Sequence, residues 1–150
     1  MNWYKKAQED EQNPYGSFAG KIFFHGTSEE GAASIRNGGI DNSRSNKGYF
    51  GVGFYMAEDF DLAKSNYADF ADDDAEGVVL GFAIKPEARI LDLRKPEDFD
   101  VYQAISQQGR LVSRDDFDTV MTSNGIDGLY DNSFGGIVIY NPNSVYLVNR

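Results

Sequence analysis

The chain reads as an α+β domain, and three observations predict it. Short apolar runs of strand length recur between clusters of Gly, Asn, Asp and Pro. Amphipathic stretches of helical length fall between some of these runs but do not alternate with them as βαβ units do. The composition, with 9 Tyr, 11 Phe and 16 Gly among 150 residues, suits strands and tight turns rather than disorder. At this length one domain, residues 1–150, is the natural count, and a core forms without covalent staples.

Taken in order, residues 1–19 read as an N-terminal extension, in which 2–12 suit either a short helix or a frayed tail. Asn13-Pro14-Tyr15-Gly16 is a turn signal. Lys21-Ile22-Phe23-Phe24 is a strand that ends at His25-Gly26-Thr27. Thr27 or Ser28 caps a helix carrying Glu29 and Glu30 in its first turn, and Gly38-Gly39 stops it. Residues 41–49 read as a loop. Gly51 to Met56 enters a second strand, after which Asp59 caps a helix bearing Leu62, Ala63 and Tyr67. An acidic loop, Asp72-Asp73-Asp74, leads to a strand from Val78 to Ile84. A strand is expected within Arg89–Leu93, a helix opened by Pro96, and a further helix over Asp115–Met121. The last thirty residues read as sheet: strands at Gly128–Tyr130, Gly136–Tyr140 and Val145–Val148, joined by turns at Asp131–Gly135 and Asn141–Asn143.

Composition removes several function classes. There is no cysteine, which excludes disulfides, thiolate metal sites and a cysteine nucleophile. A single histidine makes a transition-metal site a poor prospect, so no metal is expected. The net charge of -10, with thinly scattered Lys and Arg, disfavours duplex nucleic acid as a partner. No apolar run approaches the ~20 residues of a membrane span. The N-terminus lacks the apolar core of a signal peptide. A cytoplasmic chain without a membrane partner is expected, or one delivered into a target cytoplasm. The acidic run Asp72–Asp74 with Glu76 lacks the spacing and glycine of an EF-hand and reads as a solvated loop. Phe99, Tyr102 and Ile105 form a core stripe.

Two elements carry candidate chemistry. His25 stands where an apolar strand meets a turn of small residues, and a neutral imidazole donates one hydrogen bond and accepts another. Gly26 lets a ligand approach the backbone closely. Gly51-Val52-Gly53-Phe54-Tyr55 places two glycines before an aromatic pair, yet lacks the third glycine and the βαβ setting of a dinucleotide fingerprint.

Together, Phe24-His25-Gly26-Thr27 and, about 25 residues on, Gly51-Val52-Gly53-Phe54-Tyr55 resemble the ADP-ribosyltransferase superfamily. The likeness is to the branch of poly-ADP-ribose polymerases and diphtheria-like toxins. The helix bearing Tyr67 and the tail from Ile137 to Val145 extend it over residues 22–148. The resemblance implies a split, mostly antiparallel sheet with peripheral helices, and NAD as substrate. It implies that His25 bonds the adenosine-side ribose, that the Gly26 backbone grips the nicotinamide amide and that Thr27 assists at the ribose. Tyr55 and Tyr67 would sandwich the nicotinamide ring, an electron-poor cation well placed over aromatic faces. Ser65 is the candidate hydroxyl for the amide, one residue short of the family spacing. The short, compact form suits a toxin, a phage-encoded effector or a piece of a larger system, and a monomer is expected.

The chain departs from the family in two further places. The family's glutamate, which opens the penultimate strand, corresponds to Gly136. Either Asp131 in the preceding turn replaces it, or the domain lacks it; chain elongation is not expected in either case. Asp131 also has a plain reading as a turn cap. The family's phosphate-contacting arginine corresponds to Asp41, with Arg44, and after it Arg36, as substitutes. The activity implied is mono-ADP-ribosyl transfer to a macromolecular acceptor, protein rather than nucleic acid, with NAD hydrolysis when water intercepts. The alternatives are an inactive NAD- or ADP-ribose-binding module and a non-catalytic interaction domain.

Overall fold

A computed structural model describes residues 13–40, 47–48, 50–63, 77–106, 116–131 and 136–148. Its elements are β1 (Ile22–Thr27), α1 (Glu29–Gly38), β2 (Lys47–Gly48), β3 (Gly51–Val52), β4 (Phe54–Ala57), α2 (Phe60–Ala63), β5 (Val78–Ile84), β6 (Ile90–Asp92), α3 (Pro96–Ser106), α4 (Phe117–Ser123), β7 (Gly128–Asp131), β8 (Gly136–Ile139) and β9 (Val145–Leu147). Seven strands form one sheet in the order β6-β7-β8-β4-β1-β5-β9, while β2 and β3 form a separate two-stranded ribbon. Among the described residues only β6–β7 is parallel; every other described pair is antiparallel. The architecture is mixed, α+β, with a mostly antiparallel sheet.

Local chemistry explains the element boundaries. Ser28 caps α1 by accepting from the Gly31 N–H at 3.0 Å, and Gly39, at φ 79°, ends it. Glu29 and Glu30 sit in the first turn, where the helix dipole favours negative charge. The Asp59 carboxylate accepts from the Asp61 N–H at 2.8 Å and so starts α2. The run expected as one strand from Gly51 to Met56 breaks at Gly53, because β3 turns back on Lys47–Gly48 while β4 joins β8. Residues 47–48 are therefore strand rather than loop. Within the described residues the helix expected from Asp115 spans Phe117–Ser123. The Asn141–Asn143 turn is a short 3-10 helix over Pro142–Ser144, with Asn141 accepting from the Asn143 N–H.

Residues 13–19 are not an appendage. The Asn13 amide donates to the carbonyls of Pro86 and Ala88, the Tyr15 carbonyl accepts from Ile90, and Phe18 is buried against Tyr130. Two apolar clusters cover the two faces of the sheet. One joins Phe18, Phe23, Phe54, Met56, Leu80 and Ile137 under α1, whose Ala32 is fully buried. The other joins Phe50, Leu91, Leu129, Val138 and Tyr140 to α3 and α4 through Ile105, Phe117 and Met121. Tyr102 and Ile105 join this core as the stripe predicts, whereas Phe99 remains 39% exposed at its margin. Among the described residues no helix is long and apolar enough to cross a membrane.

The two halves of the sheet meet at a weak seam. β1 pairs with β5 along its whole length, yet meets β4 at one registered pair, Phe24 opposite Ala57. β4 in turn pairs with β8 along all four of its residues. From His25 to Thr27 the edge of β1 that faces β4 has no registered strand partner.

Close packing between β7 and β8 is set by Gly128, where a Cβ would lie 2.5 Å from the Val138 carbonyl oxygen and 3.0 Å from the Ile139 side chain. Gly128→Ala is expected to cost about 2 kcal/mol as an overpacked core position does. A thermal denaturation midpoint equal to that of the parent chain would show that the two strands can separate freely.

Candidate functional site

Of the sequence-predicted residues, His25, Gly26, Thr27 and Tyr55 lie on the two strands that flank the seam between β1 and β4. The strand ends within His25-Gly26-Thr27 as expected, at Thr27, and pairing with β5 alone sustains its last residues. His25 is thus held by backbone on one side and faces the seam on the other. Its ring stacks on Phe54, with centroids 4.1 Å apart and planes 28° apart. Its Nδ1 lies 2.9 Å from the Tyr55 carbonyl oxygen. A carbonyl only accepts, so Nδ1 carries the proton. Burial holds the imidazole pKa below its ordinary value, against the smaller opposing effect of the Tyr55 carbonyl. At neutral pH the ring is therefore uncharged, and Nε2 is an acceptor. A ligand that meets His25 must bring a donor, such as a hydroxyl.

Thr27 follows His25 on the same face of β1, since alternate residues share a face. It lies against the first turn of α1: a Cβ at Gly31 would collide with Thr27 Oγ1. Gly26 lies between them and is registered with Val79 of β5.

Tyr55 faces the other way. Its ring packs with the cluster beneath α3 and α4, and its hydroxyl donates to the Gly51 carbonyl at 2.6 Å while accepting from the Phe50 N–H at 3.0 Å. The structure therefore brings His25 to the Tyr55 backbone, while the two rings occupy opposite sides of the sheet.

Asp131 ends β7. Register places Asp131 opposite Gly136, Gly136 opposite Ala57, and Ala57 opposite Phe24. Directly opposed residues share a face and hold their Cβ positions about 5 Å apart. Asp131 is thus the carboxylate neighbour of the position where a glutamate at 136 would stand, on the Tyr55 face, in a row whose middle members are the small residues Gly136 and Ala57. Residues 132–135 of the expected turn lie outside the described residues. So do Arg44, Ser65 and Tyr67, along with Asp41 and the acidic run 72–74. Arg36, the lesser arginine candidate, is exposed on α1.

A charged cluster at the Asp131 end was not foreseen. Glu58 accepts from Lys21 Nζ at 2.8 Å and from the Tyr130 hydroxyl at 2.5 Å. These bonds, Lys21 first, hold its carboxyl below the usual range. Burial and the Glu58 bond push the Tyr130 hydroxyl up to about 12. Arg94 lies over the Tyr130 ring at 4.6 Å and pairs with the buried Asp92 at 2.8 Å, which lowers the Asp92 pKa. Four separate stretches of chain meet here, and no local motif marks them. Among the described residues no group of three or more His, Asp or Glu is placed to hold a metal ion.

His25 is the only histidine, so it dominates side-chain titration between the carboxylate range and neutrality. Its folded pKa is depressed, so the unfolded chain binds the extra proton first. The stability it contributes is present above its unfolded value near 6.5 and is lost as pH falls from there toward the folded value, with a slope of at most about 1.4 kcal/mol per pH unit. Glu58 and Asp92, also depressed, lose their contributions only below the ordinary carboxylate range. Denaturant midpoints between about pH 5 and 7 should fall with acidification in the parent and stay flat in His25→Gln; a parallel slope in both would reassign the titrating group. No protein-family model matches the chain, and no curated protein matches it at a significant level.

Proposed function

We propose that the chain is a mono-ADP-ribosyltransferase that takes NAD as its donor and a macromolecule, protein rather than nucleic acid, as its acceptor. The observation that carries the reading is His25 in the seam: its Nδ1 is committed to the Tyr55 carbonyl at 2.9 Å, which leaves Nε2 as an acceptor. That is the polarity needed to bind a ribose hydroxyl. The resemblance of Phe24-His25-Gly26-Thr27 and Gly51-Val52-Gly53-Phe54-Tyr55 to the ADP-ribosyltransferases supplies the rest.

In this reading the donor has to cross the sheet at the seam: the adenosine ribose lies at His25 and Thr27 on one side, the nicotinamide amide at the Gly26 backbone, and the nicotinamide ring at Tyr55 on the other side, with Ser65, Tyr67 and Arg44 as further contacts. Clamping both ends aligns the bond between the nicotinamide nitrogen and ribose C1. That bond breaks with its electron pair leaving on nicotinamide, and positive charge develops on the ribose. Asp131 stabilises this charge. The acceptor nucleophile then bonds to C1 and loses its proton to Asp131 or solvent; with water as acceptor the result is NAD hydrolysis. A second reading is favoured by Gly136, which leaves the first position of β8 without a carboxylate: the seam then holds NAD or ADP-ribose without cleaving it.

Nicotinamide release from NAD by the purified chain tests the first reading. His25→Ala is expected to weaken NAD binding about tenfold, the worth of one lost hydrogen bond. An NAD analogue lacking the adenosine-ribose hydroxyl should lose the same factor in the parent and nothing further in His25→Ala. Asp131→Ala should lower turnover by about a hundredfold with binding retained; unchanged turnover removes Asp131 from the mechanism. Binding without nicotinamide release establishes the second reading, and absence of binding rejects both.

A further inference from the structure

The ring that faces the proposed nicotinamide site is held by a chain of hydrogen bonds that begins outside it. Tyr140, just past β8, is 4% exposed, and its hydroxyl donates to the Phe50 carbonyl at 2.8 Å. The N–H of the same Phe50 donates to the Tyr55 hydroxyl oxygen at 3.0 Å, and that hydroxyl donates onward to the Gly51 carbonyl at 2.6 Å. Gly51 is at φ 88°, a left-handed conformation that a side chain would strain.

The turn is also pressed onto β8, since a Cβ at Gly53 would lie 2.5 Å from Val138 Cγ2. From the other side the Phe50 ring, 3% exposed, meets Tyr102 edge-on at 6.0 Å. Apolar packing restrains the Phe50 ring, but the Tyr140 bond restrains its buried carbonyl. Deleting that hydroxyl removes the Tyr140 bond from the carbonyl and with it one restraint on the turn. That turn carries both groups that orient the Tyr55 hydroxyl, the Phe50 N–H and the Gly51 carbonyl.

We infer that Tyr140 is a positioning residue: it sets the orientation of the Tyr55 ring for its ligand by anchoring the Phe50–Gly51 turn. The inference rests on the reading of Tyr55 as the stacking face of an NAD site. Tyr140 itself touches no ligand; it acts through Phe50.

The test uses the full chain with 13C-labelled tyrosine rings, as the parent, Tyr140→Phe, Tyr55→Phe and the double variant. Ring resonances are recorded without ligand, and NAD affinity is measured by calorimetry. Tyr140→Phe should displace the Tyr55 resonances and weaken NAD binding about tenfold, and the double variant should bind no more weakly than Tyr55→Phe alone, because linked residues are not additive. Unmoved Tyr55 resonances, unchanged affinity in Tyr140→Phe, or fully additive losses overturn the inference. Should NAD fail to bind the parent while the Tyr55 resonances still shift, the NAD reading falls and the link between the tyrosines stands. If Tyr140→Phe does not fold, Tyr55→Phe reads the link from the other end, and a Tyr140 resonance that stays in place there overturns it.

Discussion

Where β1 parts from β4, an imidazole takes over from the backbone ladder. The bond from His25 Nδ1 to the Tyr55 carbonyl is the side-chain tie across a seam that has one registered strand pair. Stacking on Phe54 keeps the ring in the plane that this bond requires. Because the carbonyl can only accept, the bond also dictates the tautomer, and partial burial dictates the charge state. The polarity of the seam toward any ligand therefore follows from one backbone oxygen.

The seam lies between two regions that hold their shape by different means. At the Phe50–Val52 turn, buried aromatic side chains and their hydroxyls pin the backbone, with Tyr140 and Tyr55 bonding to it from separate strands. At the opposite end of β4, Lys21, Glu58, Tyr130, Arg94 and Asp92 form an interlocked set of charge-assisted bonds over aromatic rings. Pairs of this kind, half in water, contribute modestly to stability one at a time. Their joint effect is to tie the approach to β1, the end of β4 and the segment after β6 to β7. Asp131 follows Tyr130 directly, so the placement of the candidate carboxylate depends on that set.

Much of the fold was legible because it is local. Ser28, Gly39, Asp59 and Pro96 mark helix ends through hydrogen bonds and dihedral preferences that act within a few residues. The apolar runs at 78–84 and 136–139 are buried strands because no polar side chain interrupts them. The break at Gly53 was not legible, since it comes from which strand each half pairs with. Nor was the integration of residues 13–19, whose bonds reach across more than seventy positions to Pro86 and Ala88.

The sequence by itself determined the α+β class and most element positions, because residue type and periodicity are local properties; it joined His25 to the Gly51–Tyr55 segment as a candidate site only through a resemblance. Only the tertiary structure decided how those pieces face one another. It placed the His25 and Tyr55 rings on opposite sides of the sheet, set Asp131 opposite Gly136, and linked Tyr140 to Tyr55 through Phe50. Each of these follows from strand register, and register is chosen by the burial of whole faces against α1, α3 and α4 rather than by any short stretch of chain.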